Sequence, residues 1–272
     1  MPIQRDARRG REPRGGEPRG GVRRPRLIRS VVPGVHLLDH AYVNCYLLEE
    51  AGELTIVDTA HPKTWPVLIQ AIRAIGRTPA DVRAIVLTHA HFDHLGFAHR
   101  AHDEWDVPVL GHAQEQYIAA HPYRYAHENA RLIYPIRHPK AIPALFGMLR
   151  AGALRVPGID GLTPILPGEV LAVPGHPRVV FTPGHTFGHC ALHLPDADTV
   201  LSGDALVTFD PYTGGTGPQI ISGAATADSA QALESLAAIE DTAASVILPG
   251  HGEPWMEGAE RAVALAQAAG PS

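Results

Sequence analysis

The chain has 272 residues, 45% hydrophobic and 19% charged, which suits one large folded unit and excludes a fibrous or largely disordered protein. No apolar run approaches the ~18 residues of a membrane-spanning helix, and two cysteines, Cys45 and Cys190, exclude a disulfide framework and a Cys-rich zinc site. The net charge of −5 is unevenly spread: residues 1–30 hold ten arginines against Asp6, Glu12 and Glu17, so the rest is acidic, which argues against a nucleic-acid partner.

Residues 1–30 are rich in Arg, Gly and Pro and almost without apolar content before Leu27 and Ile28. Such a segment buries too little surface to offset its ordering entropy and is expected to be disordered. With no apolar stretch after the arginines it does not read as a secretory signal, and the chain is expected to be cytoplasmic. The folded domain is expected over residues 31–272. Residues 31–38, 43–48 and 54–57 read as strands, the last ending in Asp58. A helix follows over 63–75, with Trp65, Leu68, Ile69 and Ile72 at helical spacing and Gly76 closing it. Residues 84–87 form a buried strand, a helix starts near Asp93, and 108–110 is a further strand. Residues 112–170 read as an inserted helical cap, with Ile142, Leu145, Phe146 and Leu149 marking an amphipathic helix. Strands return at 178–181, 190–194 and 199–201, then a helix at 228–240, a strand at 245–248 and a helix at 257–269. Strands followed by helices, twice over, suggest two sheets faced by helices on the outside.

Histidine is the compositional outlier, at 17 residues against 7 Tyr and 6 Phe. The run Thr88-His89-Ala90-His91-Phe92-Asp93-His94 follows directly on the strand at 84–87. Three imidazoles and a carboxylate so close together have no structural justification. His89 and His91 alternate, so in an extended loop they point the same way and can share one ion. Asp93 and His94, at the turn beyond, can serve a second. Imidazole and carboxylate ligands without a thiolate suit zinc, or less often iron or manganese. Three more candidates lie at strand ends: His185 in Pro183-Gly184-His185-Thr186-Phe187-Gly188-His189, Asp204 in Ser202-Gly203-Asp204, and His251 in Pro249-Gly250-His251-Gly252. The glycine beside each allows a tight turn and close backbone approach to an ion. Together the seven suffice for two ions with a position left for water.

This order of motifs, H-x-H-x-D-H, G-H-T-x-G-H, S-G-D and P-G-H-G, resembles the metallo-β-lactamase superfamily over residues 31–269, apart from 112–170. The resemblance implies an α+β fold, a four-layer αβ/βα sandwich with its site at the edge between two sheets. It implies that His89, His91 and His185 bind one metal, that Asp93, His94 and His251 bind the other, and that Asp204 bridges them. The cofactors would be two Zn2+ per chain, with Fe or Mn as alternatives. Asp58 matches a carboxylate that orients the site, and His189 matches a motif histidine that is not a ligand. Asp204 argues against true β-lactamases of this fold, and His91 against flavodiiron proteins, which carry Glu there. The glyoxalase-II-like and lactonase-like branch remains. Its chemistry is hydrolysis of an ester, thioester or lactone of a small molecule by a metal-bridging hydroxide, with a proton-relay role open to Asp93. Phosphodiester hydrolysis on the same site is the alternative. A mononuclear-iron sulfur dioxygenase is a third reading, which leaves Asp93, His94 and His251 idle.

Other residues read more plainly. Cys45 and Cys190 are expected as core thiols. His36, His99, His102, His176 and His193 are expected at the surface or satisfied structurally, and the histidines of 112–138 are too irregularly spaced for a third metal site. Tyr123, Tyr125, Tyr134 and Tyr212 are open to either pocket lining or ordinary packing.

Overall fold

The computed structural model describes residues 24–272, so the expectation for the Arg-rich tail lies, over residues 1–23, outside the described residues. The remainder of that tail is not disordered: β1 (Arg26–Val32) pairs antiparallel with β2 (Val35–His40). A single strand over 31–38 is therefore replaced by a hairpin. Pro33 and Gly34 make the turn, with Gly34 at φ 74°, a conformation that favours glycine. Arg26 holds the new strand to the body, donating to both carboxylate oxygens of Glu253 at 2.8 Å.

The chain continues with β3 (Val43–Glu50), β4 (Glu53–Val57), α1 (Trp65–Ala74), β5 (Val82–Val86), α2 (Ala98–Trp105) and β6 (Val109–His112). Three short helices follow, α3 (Gln116–Ala120), α4 (Tyr134–Arg137) and α5 (Ile142–Ala151), and then β7 (Thr163–Ile165). Strands β1 to β7 form one sheet in sequence order, antiparallel as far as β4 and parallel thereafter. The cap is thus shorter than expected at its C-terminal end, because β7 closes the sheet. The second half supplies β8 (Arg178–Phe181), β9 (Cys190–Leu194), β10 (Thr199–Gly203), the ribbon β11 (Val207–Phe209) and β12 (Thr216–Gln219), α6 (Ser229–Ser235), α7 (Ala237–Glu240), β13 (Val246–Pro249) and α8 (Ala259–Ala269). Its four-stranded sheet has the order β13-β10-β9-β8.

Strand alternation builds the layers. In β3, Cys45 and Leu47 join the apolar cluster of Trp65, Leu68 and Ile72 under α1, while Tyr46 and Leu48 join Leu192, Leu201 and Leu248 of the second sheet. In that sheet, Ala191 and Val200 face the other way, onto Leu236, Ile239 and Val263 of the C-terminal helices. The result is helix, sheet, sheet, helix: the expected α+β four-layer sandwich. Cys45 and Cys190 are buried and free.

Two helix readings change. The turn at 92–94 is not yet a helix, and α2 begins only at Ala98. In α5 the apolar stripe faces outward: Ile142, Phe146 and Leu149 are about half exposed, whereas Ala144, Gly147, Met148 and Ala151 are buried. Small side chains allow close approach here, as Tyr42 lies only 3.2 Å from where a Cβ on Gly147 would stand. Among the described residues no helix is long and apolar enough to cross a membrane.

Candidate metal centre

The loops that follow β4, β5, β8, β10 and β13 meet at one edge of the sandwich. All seven residues selected from the sequence lie there, and all are buried. Asp204 sits among the imidazoles. Its Oδ2 is 3.2 Å from His251 Nε2, 3.5 Å from His185 Nε2 and 3.9 Å from His89 Nε2. Its Oδ1 is 3.4 Å from His94 Nε2. His251 Nε2 also lies 3.5 Å from Asp93 Oδ2. His89, His91 and His185 form one group with ligand atoms within 4.8 Å of one another, and Asp93, His94 and His251 form another.

The histidines are aimed by their outer nitrogens. Asp58, directly after β4, accepts from His94 Nδ1 at 2.9 Å and from the Thr88 hydroxyl and backbone N–H, both at 2.8 Å. Because the Thr88 hydroxyl donates to Asp58, it accepts from His89 Nδ1 at 3.1 Å. Thr226 donates to Ile221 O and so accepts from His185 Nδ1 at 3.2 Å. His251 Nδ1 donates to Tyr42 O at 2.6 Å. Four rings therefore carry their proton on Nδ1 and turn an Nε2 lone pair inward. The Nε2 atoms of His89, His91, His94, His185 and His251, with Asp204 Oδ1, are buried without a hydrogen-bond partner. Buried lone pairs without donors are costly, and a divalent cation is the partner this donor set fits.

Burial holds the His89 and His91 imidazoles well below their usual range and His185 at about 4, so these rings are neutral and able to donate electron pairs. Burial alone would lower the His94 and His251 imidazoles, but the neighbouring Asp204, Asp58 and Asp93 carboxylates outweigh it and raise both. These two rings therefore favour a second proton that a bound cation would displace. Burial alone would raise the Asp204 carboxyl, but the His251 and His94 imidazoles outweigh it and keep Asp204 ionised. Burial raises Asp93. His189 is not in either group. Its Nε2 accepts from the Asp204 backbone N–H at 3.0 Å and its Nδ1 donates to the Thr182 hydroxyl at 2.8 Å. It places Asp204 rather than facing an ion. Gly250 completes the packing: a Cβ there would stand 2.2 Å from Asp204 Oδ1 and 2.9 Å from His94 Cε1.

A family model described as the metallo-beta-lactamase superfamily matches residues 38–251. The chain belongs to the metallo-beta-lactamase superfamily. Among its relatives is the probable metallo-hydrolase YflN of Bacillus subtilis, 26% identical over 248 residues that cover 81% of this chain and 84% of that one. The probable metallo-hydrolase YqgX of Bacillus subtilis is 35% identical over 148 residues, 54% of this chain and 57% of that one. Among solved structures, the metallo-beta-lactamase family protein TTHA1429 from Thermus thermophilus superposes with a TM-score of 0.64 at 28% identity, over 88% of this chain and 80% of that one. TTHA1623, solved in a di-iron-bound form, superposes with a TM-score of 0.56 at 25% identity, over 80% of this chain and 92% of that one.

Three features of the site in this superfamily member carry no sequence signal of the kind used above. Glu115, just after β6, is fully buried and clamps two ligand loops: it accepts from Ala90 N at 2.8 Å and from Gly188 N at 3.0 Å. His61 is fully buried with neither ring nitrogen bonded, stacked near Phe92 with centroids 6.4 Å apart. Tyr125 lies on the His91 ring with centroids 3.8 Å apart. The sequence left Tyr125 open between pocket and packing, and only the fold brings it to a ligand histidine.

Proposed function

We propose that this chain is a dinuclear metal-dependent hydrolase of an ester, thioester or lactone in a small-molecule substrate. The observation that carries the reading is the convergence of five buried, unpartnered Nε2 atoms around Asp204. His89, His91 and His185 would hold one ion, Asp93, His94 and His251 a second, and Asp204 both. Zinc suits this N/O donor set, with iron or manganese next. Two such ions would supply an acidified water as nucleophile and would polarise the scissile carbonyl.

The chain's own residues do the rest. Asp58, Thr88, Thr226 and the Tyr42 carbonyl fix the imidazole tautomers, so no ring has to reorganise. Asp93 is buried beside His251 and is placed to hold or pass a proton at its Oδ2. Phe92 packs against an apolar cluster that includes the cap residues Tyr125 and Tyr134, on one side of the site.

The test combines metal content with a substrate panel. Protein purified without chelator should carry about two equivalents of metal, as a two-metal mechanism requires. It should turn over lactones, thioesters or simple esters and leave bis(4-nitrophenyl) phosphate intact. One tightly bound iron with oxygen-dependent activity, or phosphodiester cleavage alone, would overturn this reading.

A further inference from the structure

The cap delivers two unsatisfied donors next to the metal centre. The Arg131 guanidinium lies over the Tyr125 ring, 4.1 Å from its centroid, and the same ring lies on His91. Arg131 Nε donates to Ala224 O at 3.0 Å. Its Nη2 is buried and meets no acceptor. No carboxylate among the described residues pairs with this guanidinium. The Tyr125 hydroxyl is also buried, in a side chain only 8% exposed, and no well-formed hydrogen bond satisfies it. Its polar neighbour Tyr212 is another phenol, near enough to share one hydrogen bond with it, and two phenols that share one O–H still leave a second O–H in need of an acceptor. Apolar residues pack around the pair, among them Val207, Ile221 and Ala225.

Both features are expensive. Arg131 is only partly buried, but a guanidinium nitrogen cut off from water is usually paired, and a buried phenol without an acceptor loses its hydration uncompensated. Because the guanidinium lies over the ring that bears the hydroxyl, both donors serve one small region. A single carboxylate there would satisfy both, by the planar recognition that guanidinium favours. A carboxylate carries the one charge that one guanidinium matches, whereas the second charge of a phosphate dianion finds no further cationic side chain in this subsite. Structural stacking alone would explain why Arg131 lies on Tyr125, but not why its Nη2 and the hydroxyl are left without partners.

We propose that Arg131 and Tyr125 form a carboxylate-binding subsite beside the metal centre, and that the substrate is therefore an anionic ester, thioester or lactone. The substrate class rests on the hydrolase reading above; the carboxylate site does not.

Two measurements on metal-loaded protein separate them. The first is binding of glutarate by calorimetry to wild type, Arg131→Gln, Arg131→Lys and Tyr125→Phe. All carry the same metals, so any direct contact between glutarate and metal is common to them. Arg131→Gln should weaken glutarate at least ~10-fold, the loss of one charge-assisted contact. Arg131→Lys should recover part of this. Tyr125→Phe, which keeps the ring on His91, should weaken glutarate by a smaller factor, and it serves as the test if Arg131→Gln does not fold. Inorganic phosphate should bind all four alike. The second measurement is the ratio of kcat/KM for mono-4-nitrophenyl glutarate to that for 4-nitrophenyl butyrate. It should exceed one in wild type and fall at least ~10-fold in Arg131→Gln. Equal glutarate affinity in wild type, Arg131→Gln and Tyr125→Phe would overturn the subsite even if both esters are hydrolysed. No turnover of either ester or of the lactone and thioester panel would overturn the hydrolase reading, while the glutarate comparison still decides the subsite.

Discussion

Asp58 and His94 are 36 residues apart in sequence and 2.9 Å apart in space, the carboxylate accepting the imidazole Nδ1 proton. Asp58 takes a left-handed backbone conformation, φ 58°, uncommon outside glycine. The strand end is thus bent to bring one carboxylate to three donors: His94 Nδ1, the Thr88 hydroxyl and the Thr88 N–H.

Asp58→Asn offers those donors one oxygen and one competing NH2. His94 then loses the partner that fixes its tautomer. Metal affinity, measured by competition with a chromogenic chelator, is expected to fall about 10- to 100-fold, the usual effect of removing such an orienting partner. Native affinity in this variant would show that Asp58 serves the fold alone.

Asp204→Asn keeps the side-chain shape and removes the charge among His94, His185 and His251. At least one ion should bind far more weakly, and turnover on any true substrate should drop at least ~10²-fold. Ser202→Ala is the control. The Ser202 hydroxyl donates to Leu206 O at 2.6 Å, so its loss should cost about 1 kcal/mol of stability with metal content unchanged. An Asp204→Asn protein that keeps both metals and near-native rates would refute the ligand assignment for the second half of the chain.

Glu115 ties the His89–His91 loop to the His185–His189 loop through Ala90 N and Gly188 N. Glu115→Gln turns an NH2 toward one of those donors. It should lower thermal stability by about 1–3 kcal/mol, the cost of a buried unsatisfied donor. It should also weaken metal binding, because both loops carry ligands. Lower stability with unchanged metal affinity would confine Glu115 to the scaffold.

His189 provides a pH signature. Burial pushes its imidazole down to about 3, from an ordinary 6.5, so the native ring stays neutral while the unfolded ring takes up a proton below 6.5. Its contribution to stability is therefore complete above that value and is lost as pH falls toward 3. The stability difference between wild type and His189→Gln, both freed of metal, should shrink by about 1.4 kcal/mol per pH unit between about pH 6 and pH 4.5. Urea denaturation of the two proteins at several pH values measures it. A difference independent of pH would mean that the native ring is protonated.

By itself the sequence selected the seven residues that converge in the candidate metal centre, and its motifs, through their family resemblance, the four-layer sandwich that carries them. Both were legible because each signal is local. A ligand motif follows each strand directly, so the strand end projects it, and apolar alternation marks the two faces of strands such as β3. The first hairpin is hidden in the sequence because Pro33 and Gly34 interrupt an apolar run whose hydrophobicity does not change across the turn. The expected helix start near Asp93 lies before α2, which begins at Ala98, because Asp93 sits in a turn with its carboxylate beside His251. The cap was the least legible part. Its exposed stripe of Ile142, Phe146 and Leu149 has the periodicity of an inward face, while the buried face is mostly small, Ala144, Gly147 and Ala151 beside Met148. Glu115, Tyr125 and Arg131 were settled by tertiary structure alone. Each acts across the chain, on Gly188, His91 and Ala224 respectively, and no local pattern encodes which loop a buried side chain will meet.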